Sequence, residues 1–359
     1  MTAPHASSES GVTLNNEAPI EIPTVPSGPE AVEESRQKRR LWTLGGVVGA
    51  LGLVLFGLGW YWSYQCFSPS TYDVTEVALR ETGLTDPKEL LPGVKTTAVL
   101  IHNMDYLLTK PGGYLSNDVT PPGVLLDNMP NWEFGVVVAS RDLATALRNQ
   151  LSRAQSQSPE DRDLGIAEPY FYFETESWIL PATESQYQKG IDLFRRYIRR
   201  LQQGQANFYA RADNLTQYID ILAKRLGSYT QRLSASSKLH EEAPVMIRGQ
   251  PSTAFTPLER TPWLEVDDHF YEARGYCWAL LHIMRAIEKD FDEILRVKGA
   301  DAPIHQIIRE LEATQATILS PVVLNGSGFG VFANYSLTLA TYIAHANAAL
   351  IDLRALLSI

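Results

Sequence analysis

The 359-residue chain has only two cysteines, Cys66 and Cys277, and neither belongs to a CxxC pair or another zinc-ligand spacing. A disulfide framework is therefore excluded as the source of stability. Positive charge is also in deficit: 31 Lys and Arg stand against 41 Asp and Glu, a formal net charge of -10. Binding to a phosphate backbone needs a basic footprint, so nucleic acid is excluded as a partner. The glycine-rich run Asn325-Gly326-Ser327-Gly328-Phe329-Gly330 lacks the lysine of a phosphate-binding loop and the spacing of a dinucleotide fingerprint. Nor is it a GxSxG elbow, so it offers no nucleophile. A tight connection between helices is its expected use, because glycine adopts backbone angles that other residues resist. No catalytic set and no cofactor emerge from the motifs.

What the chain does have is a long uncharged run, Leu41 to Trp62. At about 1.5 Å per helical residue such a run crosses a hydrocarbon layer of about 30 Å. Trp42 marks one end, and Trp60, Tyr61, Trp62 and Tyr64 crowd the other, as aromatic rings do at headgroup level. The bulky residues beyond the run rule out a signal-peptide cleavage site. Arg36, Lys38, Arg39 and Arg40 precede the run, and no Lys or Arg comes after it until Arg80. The positive-inside rule then puts the N-terminus in the cytoplasm and the rest across the membrane, in a bacterium the periplasm. The expected organisation is a disordered cytoplasmic tail over residues 1–40, a transmembrane helix over 41–62 and a mostly helical periplasmic domain over 65–359. Pro19, Pro23, Pro26 and Pro29, with no apolar periodicity around them, give the tail its reading.

Within the span, Gly45, Gly49, Gly52 and Gly59 form a small-residue stripe that would let two such helices pack as a homodimer. Cys66, just beyond the aromatic belt, is expected to lie near the outer headgroups. There it would be accessible for a disulfide between two paired copies. Cys277 is expected to be buried.

Helical periodicity dominates the rest of the chain. Val94 to Leu108 and Trp132 to Ala154 read as helices, with a short strand over Val136 to Val138 as the rival for part of the second. A heptad seam runs through Tyr187, Ile191, Phe194, Ile198, Leu201, Gln205, and on to Leu226, Tyr229 and Leu233. Its unbroken register favours one long helix over a chain broken at Gly204. A second seam runs from Trp263 to Ile294, started by Thr261 as N-cap and Pro262 in the first turn. Thr256-Pro257-Leu258-Glu259 reads as a capping box. Further helices are expected over Ile304 to Ile318 and Leu339 to Leu357. The fold class is all-α: one transmembrane helix, then an elongated antiparallel helix bundle.

Three constellations could carry function. Glu265, His269 and Glu272 share one helical face, but no second Glu-x-x-His pair exists to complete a di-metal bundle site, and an acidic first turn explains them better. Glu176-Ser177 matches two residues of the lytic transglycosylases, whose other signatures are missing. Arg195, Arg196, Arg199 and Arg200 make a basic band that could meet lipid headgroups or an acidic partner. Pro111-Gly112-Gly113-Tyr114-Leu115-Ser116-Asn117-Asp118, Trp132-Glu133-Phe134-Gly135 and Asn325 to Tyr335 carry a resemblance. On these segments the chain resembles a bacterial family of single-span inner-membrane proteins known only as a domain of unknown function. The resemblance implies a Gram-negative envelope setting and transfers no site residues. The expected role is a membrane-anchored envelope scaffold or adaptor, with the lipid bilayer and an unnamed envelope protein as partners. The alternative is a periplasmic enzyme acting on peptidoglycan or lipid.

Overall fold

A computed structural model describes residues 29–155, 157–237, 246–247, 250–251, 261–318, 320, 322–326 and 332–359. Among them are eleven α-helices and one two-residue hairpin, Met246–Ile247 with Gln250–Pro251. The chain divides into two units, Met1–Val54 and Leu55–Ile359. Helix α1, Pro29–Phe67, runs through both. It starts earlier than the charge pattern suggested, since residues 29–40 of the expected tail are helical. It also continues five residues past Trp62, deeper into the second unit, which begins at Leu55.

In that unit α2 (Val74–Thr82) starts at Asp73, whose carboxylate accepts the Thr75 N–H at 2.7 Å, and stops at Gly83 with φ +74°. Then come α3 (Val94–Thr109), α4 (Asn128–Ala146), α5 (Arg162–Phe171), α6 (Thr183–Gln202) and α7 (Ala212–Ser236). The chain ends with α8 (Val266–Asp290), α9 (Asp292–Val297), α10 (Asp301–Ala313) and α11 (Tyr335–Ser358). The α3, α4 and α11 readings hold, and Val136 to Val138 are helical. A π-helical turn at Leu147–Leu151 extends α4. Leu339, Ile343, Ala346, Leu350, Leu353 and Leu357 are buried, as their spacing predicted.

The single long helix of the first seam is corrected. The chain breaks at Gly204, with φ +69°, and residues 203–211 cross to a new helix. α6 packs on α3 and α5, whereas α7 packs on α11 and α8. The register survives because the crossing is itself anchored in the core. Phe208 packs on Phe291 with ring centroids 5.7 Å apart, and the Tyr209 N–H donates to Leu151 O at 2.7 Å. Heptad spacing thus reports burial on both sides of a break, not continuity through it. The second seam also differs at its ends. Pro262 precedes a 3-10 turn, Trp263–Glu265, and the Thr261 hydroxyl accepts from Ser236 Oγ at 3.1 Å instead of capping α8. The expected capping box at 256–259 lies outside the described residues.

α8 is the central element. α3 runs antiparallel to it (Thr96 beside Asp290, Tyr106 beside Trp278), as does α7 (Arg225 and Tyr276 on one carboxylate, Arg232 on Glu272). α4 crosses α8 at two glycines. A Cβ on Gly135 would lie 2.0 Å from Glu272 O, and one on Gly275 would lie 2.0 Å from Trp132 O. The helices therefore touch backbone to backbone. Trp132 and Trp278 pack beside the crossing with ring centroids 5.2 Å apart, both buried. Burying one such side chain is worth about 1.5–3 kcal/mol.

Candidate functional site

The polar chemistry of the interior gathers where α1 enters the domain. Arg274, in an α8 stretch otherwise nearly free of charge, is buried. Its Nε donates to Cys66 O at 3.0 Å and its Nη2 to Phe67 O at 3.2 Å, the carbonyls that end α1. Nη1 donates to Thr314 O at 2.7 Å, and Nη2 also to Gln315 O at 3.3 Å and Ala316 O at 2.8 Å, just past α10. One guanidinium therefore caps two helix C-termini, where unpaired carbonyls carry partial negative charge. Burial lowers its pKa to about 10, which leaves it charged at neutral pH.

The next residues are held by α8 as well. Trp278 Nε1 donates to Ser70 O at 2.8 Å. The Tyr72 N–H donates to His282 Nε2 at 3.2 Å, which puts the His282 proton on Nδ1, facing Trp278 O at 2.8 Å. The Tyr72 and His282 rings stack at 3.8 Å. Burial lowers the His282 pKa to about 3, so the ring is neutral and both its nitrogens are occupied. Residues 66–72 thus form no loose linker.

A second buried cluster orders the loop after α3. Lys110 Nζ meets Glu133 Oε1 at 2.5 Å, with both side chains fully buried, and also reaches Gly113 O. Glu133 accepts the Leu115 N–H at 3.0 Å, the Ser116 N–H at 2.9 Å and the Ser116 hydroxyl at 2.6 Å. Gly112, at φ +87°, leaves no room for a Cβ against the Trp62 ring, 2.8 Å away. Asn117 Nδ2 donates to Ser177 O at 2.9 Å and Glu184 Oε2 at 2.8 Å. The loop beyond Asn117 meets α1 again, since a Cβ on Gly59 would lie 3.5 Å from Pro122 and Leu126.

Several residues singled out by the sequence change meaning in this geometry. Cys66 is fully buried, its thiol 3.0 Å from Met129 Sδ, because the last turn of α1 lies inside the core. The disulfide between copies expected there is corrected: the thiol is not accessible. Cys277 is buried as expected, and burial raises its pKa to about 12. Glu272 accepts from Arg232 Nη1 at 3.0 Å and from the Tyr229 hydroxyl at 3.0 Å. No three-residue metal cluster with Glu265 forms among the described residues. Arg195 pairs with Glu81 (3.0 Å) and Asp105 (3.1 Å), Arg200 with Asp161 and Asp163 (2.7 Å each), and Arg196 reaches Asp163 at 3.7 Å. Most of the basic band therefore joins α6 to its neighbours, and of the four only Arg199 makes no ion pair among the described residues. Gly45, Gly49 and Gly52 have nothing within 4 Å of a would-be Cβ, whereas Gly59 already has its domain contact. Glu176 is exposed on the loop before α6. Asn325 and Asn334 bridge, and the described part of the glycine-rich run ends at Gly326.

The segments that carried the sequence resemblance are the ones these clusters organise: Lys110 to Asp118 is folded around Glu133, and Gly135 makes the crossing. A family profile described as an uncharacterized protein conserved in bacteria, DUF2333, matches residues 35–359. The chain belongs to this family. No curated protein and no solved structure matches it. The match covers the whole helical DUF2333 domain, together with an α1 segment, Arg36–Phe67, long and apolar enough to cross a membrane. Sequence reasoning missed Arg274 and His282. The signal was there: Arg274 and His282 interrupt the otherwise uncharged stretch from Ala273 to Met284.

The far end of this DUF2333 domain holds a buried carboxylate. Asp290 accepts the Thr96 N–H and hydroxyl, each at 2.8 Å, and so caps α3, whose own N-cap, Gly93, has no side chain. Lys95 lies 3.7 Å away. Burial, the dominant cause, raises the Asp290 pKa to about 6. Between about pH 4 and 6 the folded chain therefore holds a proton that the unfolded chain has released, and this contribution to stability falls as pH rises. His282 acts in the opposite sense: the unfolded chain protonates it below about pH 6.5, so its contribution is lost as pH falls towards 3. Asp290→Asn removes the first contribution and keeps an acceptor for Thr96. The variant's stability should then rise more steeply than wild type between about pH 4 and 6, by up to about 1.4 kcal/mol per pH unit. Denaturant titrations of detergent-solubilised full chain at several pH values measure this, and parallel curves would show that Asp290 titrates normally.

Proposed function

We propose that the chain is a single-span envelope scaffold, with its N-terminus in the cytoplasm and its helical domain in the periplasm. The observation that carries this reading is the Arg274 clamp, which ends α1 inside the domain core. A domain that only needed tethering would be served by a flexible linker. The charge asymmetry around residues 41–62 supports the orientation. The carboxylates Glu133, Asp142, Glu272 and Asp290 each have a cationic or hydrogen-bonding structural partner, which favours a scaffold over hydrolysis of peptidoglycan or lipid. Gly45, Gly49 and Gly52 leave a face on which a second span can pack.

A reporter that folds only in the periplasm, fused after Ile359, should be active, and a cytoplasm-only reporter at the same place silent. The reverse pair of results would invert the orientation. Purified full chain incubated with cell-wall sacculi should release no soluble fragments, and release above background would replace the scaffold with an enzyme.

A further inference from the structure

Three separate loops leave large apolar side chains in solvent at one end of the domain. The first, before α4, exposes Val119, Val124 and Leu125, the last 74% exposed. The second, before α6, exposes Trp178, Ile179 and Leu180. Leu180 is 90% exposed and sits at φ +53°, a backbone region that bulky residues rarely adopt. Its stem is fixed: the Thr183 hydroxyl donates to Glu174 O at 2.7 Å and Ser177 O at 2.9 Å. The third, before α8, exposes Trp263, at 81%, and Leu264. Isolated apolar side chains are ordinary on a surface, but three tips grouped at one end are not.

Contacts within the second unit place all three beside the outer end of the apolar run. Gly59, inside that run, packs on Pro122 and Leu126, next to Leu125. Asn117 bonds Ser177, beside Trp178, and α6 runs away from there to meet Glu89 and Leu91 at the opposite end through Gln202. α8 leads back along the chain towards the span: His282 at Tyr72, Trp278 at Ser70, Arg274 at Cys66, then Tyr271 against Phe67, whose ring stacks on Trp60 at 5.7 Å. Trp263 lies eight residues further, in the 3-10 turn that precedes α8. Asn131, in the first turn of α4, donates to Asp268, in the first turn of α8, at 2.6 Å, so the helices that follow the first and third loops start side by side.

We infer that these three tips form an apolar collar that inserts into the interfacial layer of the same bilayer that α1 crosses. The inference rests on the reading of α1 as a span, because continuity with Gly59 and Trp60 sets the collar's depth. The aromatic belt lies at headgroup level, and side chains packed beside it share that level. Charge narrows the lipid chemistry. Residues 119–126, 174–181 and 263–268 contain no Lys or Arg but carry Glu174, Glu176, Glu265, Asp267 and Asp268. The collar therefore enters by burying apolar area and gains nothing from anionic headgroups.

The test uses full chain reconstituted in phosphatidylcholine vesicles, with single cysteines carrying an environment-sensitive fluorophore. Cys66 and Cys277 are buried and stay unlabelled. Labels at Leu125→Cys, Leu180→Cys and Trp263→Cys should lose at least half their emission to a lipid nitroxide placed shallow in the acyl chain, and be shielded from aqueous iodide. A label at Val297→Cys, exposed on α9 at the opposite end, should behave the other way. A label at Val48→Cys reports the span by deep nitroxide quenching. Iodide quenching of the collar labels alongside lipid quenching at Val48 would overturn the collar and leave the span standing. Absence of lipid quenching at Val48 would overturn both. Collar quenching that appears only after phosphatidylglycerol is added would also overturn the inference, since attraction to anionic headgroups would then be the cause.

Discussion

Gly275→Ala is expected to leave almost no folded protein. The new methyl would sit 2.0 Å from Trp132 O and 2.8 Å from the carbonyl carbon, atoms of the α4 backbone that have no rotamer to escape into. The only relief is to part α4 from α8, which opens the tryptophan-lined centre of the core. Overpacking of side chains costs about 1–3 kcal/mol. Here the clash is with main chain, so a loss above about 4 kcal/mol is expected, enough to remove most of the stability of an ordinary domain. Gly135→Ala, which would press on Glu272 O at 2.0 Å and Tyr276 N at 2.6 Å, should do the same. Gly227→Ala is the control. It lies within α7 with nothing nearer than Asn347 Nδ2 at 3.8 Å, and should stabilise by about 0.5–1 kcal/mol through helix propensity. Yield and thermal melting of the solubilised full chain decide it. Similar melting of the Gly275→Ala and Gly227→Ala variants would mean that α4 and α8 do not touch at their backbones.

Arg274→Met should cost about 3–5 kcal/mol, lowering the melting temperature by about 10 °C. Methionine fills much of the volume but takes the guanidinium from five carbonyls; Phe67 O keeps the Ile318 N–H at 2.9 Å, and buried acceptors stripped of a partner are left with their desolvation penalty. Arg274→Lys should recover only part of this. An ammonium is a point charge with three donors, and these carbonyls come from the ends of two helices on either side of a planar fork. The second readout is proteolysis at residues 66–72, which should become cleavable in Arg274→Met well below its melting temperature. Cleavage no faster than wild type would show that the clamp is not what fixes α1.

Much of this architecture was legible from periodicity alone. The seam positions from Tyr187 to Leu201 and from Leu215 to Leu233 are buried, because a 3.5-residue repeat is the trace of one apolar face. Periodicity does not report which core a face belongs to, so the break at Gly204 passed unseen. Cys66 was misplaced for a related reason. An aromatic belt marks the end of an apolar run, and α1 continues past that point into protein rather than water. The clamp was harder still. A buried arginine satisfied by carbonyls has no carboxylate partner to look for in the sequence, and its acceptors lie 40 and 208 residues away. Glu133 shows the opposite case. Its motif stood out, but the meaning of Gly112 and Gly113 became clear only beside Trp62 and Lys110.

The Arg274 clamp also bears on how this domain would meet another protein in the proposed bilayer. A folded domain on a slack tether samples a hemisphere of orientations, and a partner must wait for, and then freeze, the correct one. With residues 66–72 held against α8, no slack chain separates the end of α1 from the core. Where α1 crosses a bilayer, as proposed, so short a tether lowers the orientational cost of association and confines the search to a plane. Interfaces too small to hold two freely tumbling proteins together can suffice under those conditions. A weak contact in detergent and a durable one in the bilayer would be two readings of the same surface.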